Sequence, residues 1–401
     1  MKLLNILLLF AAAIWAVCAF DPFSFDLSNE PGLESVNDYT QTEADFNTPV
    51  SYDESSMLEE TYFELCYNLT DPDLDTSSLK FKGVKTLNTD DEWKSYMDFC
   101  VKKGYVHIFF QVPEEMTPDT DYFLNTYDIT AVTIYTYPPD RGWKIMGYTL
   151  TYTYAYDILN AVKNNSLDRL DTKKLAAYNA AQSFLSTIEG LSDYEKELAI
   201  HNYVCEKITY SKDEADSDIT NCYGGLINGL GNCQAYTDTF SLLCGLEGFD
   251  CGRITCVADG VDHSLNYIVI NGGYYFVDCT FDDGISDPDR GYGLFYFNAP
   301  YNIISVDHVF AELPFEPVYT IDEANWYYRN GLYALTPEIL EQIYRNIAEQ
   351  SSQGEILFNT QYGTASLTDI FTNFPCGYKK ISVSKFTFGE SYEILKFSLS
   401  Q

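Results

Sequence analysis

Between Lys2 and Lys80 the chain carries neither lysine nor arginine. Basic residues are scarce throughout, 24 against 59 aspartates and glutamates, for a formal net charge of −35. So acidic a chain repels phosphate backbones and anionic bilayers, which argues against nucleic-acid binding and against a membrane-surface role. Peptide or protein substrates that are neutral or basic fit this charge. Long apolar runs are missing beyond the first twenty residues, so no later segment reads as transmembrane. There is no Gly-rich phosphate loop. Cys244, Cys251 and Cys256 lack the paired spacing of a zinc site. Asp282, Asp283, Asp287 and Asp289 lack the alternating ligands and central glycine of a calcium loop, and read as a solvated acidic loop. No metal and no other cofactor is expected.

What is present divides into five stretches. Residues 1–19 read as a secretion signal: Lys2, an apolar run from Leu3 to Val17, and small residues at the end. The mature chain is therefore expected outside the cytoplasm. Residues 20–78 form an acidic leader of largely disordered character. The triplets beginning at Asn68 and Asn164 are glycosylation acceptors in a secretory pathway.

Residues 79–158 read as a small α/β module. Thr89 and Glu92 cap a helix carrying Trp93, Tyr96, Met97 and Cys100, and strands follow at 105–112, 131–137 and 144–154. Residues 170–322 turn helical and then strand-like. Their second helix has a buried stripe of Tyr194, Leu198, His201, Val204 and Ile208. Residues 323–401 read as another small α/β module. It has a helix capped by Thr336 with Pro337 at its first position, inward-facing Ile339, Ile343 and Ile347, a strand at 355–360, a short helix about 366–374, and a hairpin across Gly389-Glu390. The order helix then strands repeats that of residues 79–155, which suggests an internal duplication of structure. His107, His201 and His308 are taken as structural.

Three pieces of the middle stretch carry chemistry. Gly231-Asn232 breaks the chain before a helical pattern, which places Cys233 in the first helical turn. Unpaired N–H groups there suit a thiolate and an oxyanion. His263 to Ile270 and Tyr274 to Thr280 alternate as strands around Asn271-Gly272, the preferred pair for a two-residue type I′ turn. That turn sets Ile270 opposite Gly273 and Leu265 opposite Asp278. His263 and Asp278 then share a face as diagonal neighbours, about 7–8 Å apart at the backbone. A loop longer by one residue would put them on opposite faces.

Gly231-x-Cys233-x-x-Tyr236, His263 with Asn266, and Val277-Asp278-x-Thr280 together resemble the transglutaminase-like superfamily of papain-type thiol enzymes. Tyr223-Gly224-Gly225-Leu226 and the helix from Tyr194 to Tyr210 add to the likeness, which covers roughly residues 192–310. One departure is Leu265, where the family usually carries an aromatic residue. The resemblance implies an α+β fold: a papain/transglutaminase-like core with a helical part packed on an antiparallel sheet, here between two small α/β modules. It implies acyl transfer at amide bonds through a thioester on Cys233, with His263 as proton carrier and Asp278 as its orienting carboxylate. Tyr223 and Asn266 are candidate oxyanion or substrate residues. Peptidase or amidase action and glutamine transamidation share this triad. The other class to weigh is a non-catalytic extracellular binding or scaffold protein that retains the fold.

Overall fold

The computed structural model describes residues 84–400 and the pair Thr42–Glu43, apart from residues 103, 121–126, 137–141, 214, 286–290, 312, 364–369 and 371–379. The expected signal segment, most of the leader, the Asn68 triplet, Asp287, Asp289 and all but Ile370 of the expected helix at 366–374 lie outside the described residues.

The first module contains β1 (Thr42–Glu43), β2 (Lys85–Thr86), α1 (Asp90–Lys102), β3 (His107–Pro113), β4 (Ile129–Thr136) and β5 (Trp143–Tyr152), with sheet order β1-β4-β5-β3-β2. Thr89 Oγ1 accepts the Glu92 N–H at 3.2 Å, and the Glu92 carboxylate reaches back to the Asn88 N–H at 2.7 Å. Helix α1 buries Trp93, Met97 and Cys100. Trp93 and Phe110 meet Tyr148 edge-on, at 6.5 and 4.9 Å between ring centroids. Each large side chain so buried contributes about 2–3 kcal/mol by area. His107 sits in β3 with Nδ1 2.8 Å from Thr149 Oγ1.

The alternation running to Tyr154 does not all form strand. Thr153 accepts the Tyr156 N–H at 3.2 Å and starts α2 (Tyr154–Lys163), and Asp238 accepts the Ala155 N–H at 3.0 Å. A cap and a buried carboxylate at the first turn outweigh the β preference of Thr and Tyr. Helix α2 therefore packs with the helices that follow.

Those helices are α3 (Thr172–Leu185), capped by Asp171, and α4 (Asp193–Lys207), opened by a Ser192/Glu195 capping box. After the short parallel pair β6 (Thr209–Tyr210) and β7 (Leu230–Gly231) comes α5 (Cys233–Leu246). The sheet of the core is β8 (Cys251–Ala258), β9 (Val261–Ile270) and β10 (Gly273–Val277), then α6 (Cys279–Gly284), α7 (Tyr301–Ile304) and β11 (His308–Val309). Its order is β10-β9-β8-β11, antiparallel throughout. Ala155, Ile158, Ala181, Val204, Phe240 and Leu243 form one apolar cluster that joins α2 to α5. The core is thus α+β, with helices on an antiparallel sheet.

The hairpin has the expected register. Asn271 and Gly272 both have positive φ, 52° and 82°. Ile270 lies opposite Gly273 and Asn266 opposite Val277. The second strand ends earlier than its alternation suggests, at Val277. The Asp278 side chain accepts the N–H groups of Thr280 and Phe281, both at 3.0 Å, and caps α6. Thr280 is therefore helical and does not face His263 across a strand pair.

The last module holds α8 (Trp326–Arg329), β12 (Tyr333–Ala334), α9 (Pro337–Gln350), β13 (Gln353–Asn359), β14 (Lys380–Phe388) and β15 (Tyr392–Ser400), with sheet order β12-β13-β15-β14. The inward face of α9 is Leu340, Tyr344 and Ala348; Ile343 and Ile347 flank it, and Ile339 is exposed. The expected face was one position off, because Tyr344 takes the deepest place against Phe397, with centroids 4.9 Å apart. The two flanking modules share one topology. In each, a strand, a helix and a second strand form a parallel pair (β2-α1-β3, β12-α9-β13), and a hairpin then adds its second strand beside that pair (β4-β5, β14-β15).

Candidate active site

Cys233 opens helix α5 and is 3 % exposed. Asn232 caps the helix by accepting the Gln234 N–H at 3.0 Å, and its own N–H goes to Ile219 O at 2.8 Å. Gly231 is required by a close approach: a Cβ there would stand 2.4 Å from the Ala235 Cβ. The Thr237 hydroxyl sits between the carbonyl oxygens of Cys233 and Ser264, at 2.8 and 2.9 Å. The first turn of α5 is thereby lashed to β9, the strand that carries His263.

His263 and Asp278 meet. His263 Nε2 lies 2.7 Å from Asp278 Oδ2, and both residues are buried. With Nε2 taken by Asp278, Nδ1 is the ring nitrogen left for Cys233, whose thiol is near enough to act on the imidazole. Burial works against a charged imidazole, yet the Asp278 charge and the hydrogen bonds to Asp278 and Cys233 hold His263 well above the ordinary histidine range. Burial likewise opposes the Asp278 carboxylate. The His263 charge and the hydrogen bonds from His263 and His308 overcome it, and the group stays well below the usual carboxylate range. The Phe281 ring lies 4.9 Å from the His263 ring, centroid to centroid, and shields it.

His308, set aside as structural from the sequence, stands on the other side of Asp278. Its Nε2 is 3.0 Å from the same Oδ2 atom, and its Nδ1 is 2.6 Å from Asp307 Oδ1. Tyr296 donates its hydroxyl to the far oxygen of Asp307. The pairing of His308 with Ala258 across β11 and β8 delivers this residue to the site. Its only signal in the sequence was an Asp-His pair after the aromatic run Phe295–Phe297.

The other candidates fall elsewhere. Asn266 is buried, and its Nδ2 donates to Ser241 Oγ at 2.8 Å and Thr237 O at 3.2 Å, with Gly252 O at 3.4 Å. It pins α5 to the sheet, and its amide N–H groups are engaged within the core. Tyr223 begins the turn before Gly224–Asn228, its N–H taken by Asn221 Oδ1 at 3.0 Å and its ring 5.3 Å from Lys173 Nζ. Asp282 and Asp283 do not form a solvated loop. Asp282 is fully buried against His201, Nε2 to Oδ2 at 3.0 Å, and Asp283 accepts the Tyr236 hydroxyl at 2.6 Å. These bonds tie α6, and with it Asp278, to α4 and α5.

Two clusters have the closeness of metal ligands: His201, Cys205 and Cys279, and His263, Asp278 and His308, with donor atoms within 4.8 Å of one another in each. In both, imidazole nitrogens are already engaged with carboxylates, so those lone pairs are not free to bind an ion.

A cysteine at a helix start, packed on an antiparallel sheet that brings a buried His–Asp pair to it, is the arrangement of a papain-type thiol-enzyme fold. Residues 180–284 match the model of the transglutaminase-like superfamily. Among curated proteins, kyphoscoliosis peptidase of Homo sapiens is 24 % identical over 174 residues, 37 % of this chain and 26 % of the human protein. The chain thus spans about a quarter of that relative's length. Among solved structures, a TGase is 14 % identical with a TM-score of 0.25, covering 49 % of this chain and 59 % of its own. A Cytophaga hutchinsonii protein provisionally described as a cysteine protease is 16 % identical with a TM-score of 0.23, covering 43 % and 64 %. Among the described residues no helix is long and apolar enough to cross a membrane.

Proposed function

We propose that this chain is a thiol enzyme that transfers acyl groups from amide bonds of peptide or protein substrates. The observation that carries the reading is the 2.7 Å bond between His263 Nε2 and Asp278 Oδ2, made by an imidazole on which a helix-start cysteine also acts. Cys233 Sγ attacks the amide carbonyl as a thiolate. His263 takes the thiol proton at Nδ1 and returns it to the leaving amine, while Asp278 keeps the ring oriented and stabilises its cation. The Cys233 N–H at the start of α5 stabilises the oxyanion. For Tyr223, the hydroxyl is the group left for a second donor. Water resolves the thioester in a peptidase or amidase, and a second amine resolves it in a transamidase. The N-terminal apolar segment favours action outside the cytoplasm.

The test is alkylation with iodoacetamide at neutral pH followed by site mapping. Cys233 should react first among the thiols. Labelling that spares Cys233 while marking several others would remove it as nucleophile. Product analysis on a peptide amide, with and without an added primary amine, separates hydrolysis from transfer.

A further inference from the structure

We propose that His308 is a positioning residue of this site: an imidazolium clamped between Asp278 and Asp307 that fixes the Asp278 carboxylate and sets how firmly His263 holds its proton. The proposal rests on the thiol-enzyme reading of Cys233, His263 and Asp278.

Both ring nitrogens of His308 face carboxylate oxygens, Nε2 that of Asp278 at 3.0 Å and Nδ1 that of Asp307 at 2.6 Å. An ionised carboxylate only accepts, and a neutral imidazole has one N–H. Two such contacts therefore call for both nitrogens to carry protons. Asp278 is then fully saturated: Oδ1 accepts two backbone N–H groups, from Thr280 and Phe281, and Oδ2 accepts from two imidazoles. The carboxylate cannot rotate without breaking four bonds.

The same geometry has an electrostatic consequence. The rings of His263 and His308 lie 5.5 Å apart, centroid to centroid, and share one oxygen. A resident cation at His308 spends part of the Asp278 charge and repels a proton on His263. The groups facing His308 are Asp307 in the turn before its strand, Asp278 at the start of α6, His263 on β9, and Asp259 in the turn before β9; Tyr296 closes the far side of Asp307. His263 is the one among them that must gain and lose a proton in the reaction. Without His308 it would grip that proton too tightly and return to its base form at a higher pH. Phe281 and Tyr296 pack on the His308 ring at 4.8 and 5.5 Å, so an aromatic replacement keeps ring packing while removing the N–H groups and their charge.

The test reads the rate of Cys233 alkylation by iodoacetamide against pH, which needs no substrate. His308→Gln keeps a neutral donor for Asp278, and His308→Phe keeps the ring. In both, the alkaline step at which His263 loses its proton should move up by about one pH unit, the effect of removing a charge at this distance in a partly screened interior. In His308→Phe, kcat on an amide substrate should also fall by roughly 10–100-fold with KM little changed, the usual cost of losing a residue that orients a reacting group. An alkaline step that stays at the wild-type pH in both variants overturns the role of His308. Absence of any Cys233 alkylation in the wild type overturns the thiol-enzyme reading itself, and the role of His308 with it. Imidazole nitrogen NMR of the unmutated protein supplies a check independent of variant folding. His308 should show two protonated nitrogens at neutral pH, and a single-tautomer pattern would refute the imidazolium.

Discussion

Asn298 donates its Nδ2 to Glu197 Oε2 at 3.2 Å in a fully enclosed site, while Glu197 Oε1 and Asn298 Oδ1 have no partner. A buried carboxylate with one oxygen left without a donor disfavours its charged form. Burial pushes the Glu197 carboxyl up to about 8 from an ordinary 4.5, although the Asn298 hydrogen bond and the His201 charge pull it down.

The folded value of Glu197 lies above the unfolded one, so its contribution is fully present below about 4.5 and is lost as pH rises toward about 8. Glu197→Gln mimics the neutral acid. Its melting temperature should match wild type near pH 4 and exceed it near pH 9. Parallel melting curves for the two proteins across that range would show that Glu197 is ionised in the fold.

Asp278→Asn should leave the fold intact, because the amide oxygen still caps α6 by accepting the Thr280 and Phe281 N–H groups. It would present an N–H to His263 and favour the wrong tautomer, with activity falling by up to roughly 10⁴-fold. The acid side of the stability curve should change too. The Asp278 carboxyl is depressed in the fold, so its contribution is present above the unfolded value and drains away as pH falls toward the folded one. The variant should melt with a flatter dependence below about pH 4. Unchanged turnover on an amide substrate would remove Asp278 from the chemistry.

One residue inserted after Gly272 should be worse than any single substitution in the hairpin. The turn needs two residues with positive φ, and the insertion would flip Phe276 and Tyr274 to the other face of β10. Phe276 is fully buried and packs on Phe310 with centroids 5.0 Å apart. Loss of that burial alone costs about 3 kcal/mol or more. Circular dichroism melting should show the drop together with lost Cys233 alkylation. An insertion variant that keeps the wild-type melting temperature would refute the register argument.

Arg253 joins the first module to the core. Its Nη1 donates to Ile129 O at 3.0 Å, its Nε to Ser264 Oγ at 3.1 Å, and its backbone N–H to Asp128 Oδ1 at 3.3 Å. Burial pushes Asp128 up to about 6, and Arg253 works against that shift. Arg253→Met should destabilise the protein by about 3 kcal/mol, since it leaves the Ile129 carbonyl and the Ser264 hydroxyl without their donor and removes the charge that offsets Asp128, whose bond to the backbone N–H remains. Adding Asp128→Asn should recover part of the loss. Strict additivity of the two changes in denaturant melts would show that the pair is not coupled.

Local chemistry determined much of this protein from its sequence. Asn271-Gly272 dictates a two-residue turn because both positions need positive φ, and the pairing of His263's strand with the strand that leads into Asp278 follows from that turn alone. Ser192 with Glu195, and Asn232 before Cys233, start their helices through bonds made within three residues. The repeated order of helix and strands was legible as well, because each module is built from neighbours in the chain.

Only tertiary structure decided the rest. Asp278 lies where strand and helix compete, and its long-range partners, the imidazoles of His263 and His308 and the Tyr296 carbonyl, were not visible in that local pattern. Asn266 had the spacing of a site residue but turned toward α5, where Ser241 and Thr237 offered acceptors. Asp282 looked solvated until His201, 81 positions earlier, met it in the interior. His308 reached Asp278 across 30 positions because β11 pairs with the far edge of the sheet. Burial and charge pairing depend on which distant segments fold together, and a linear pattern carries no record of that meeting.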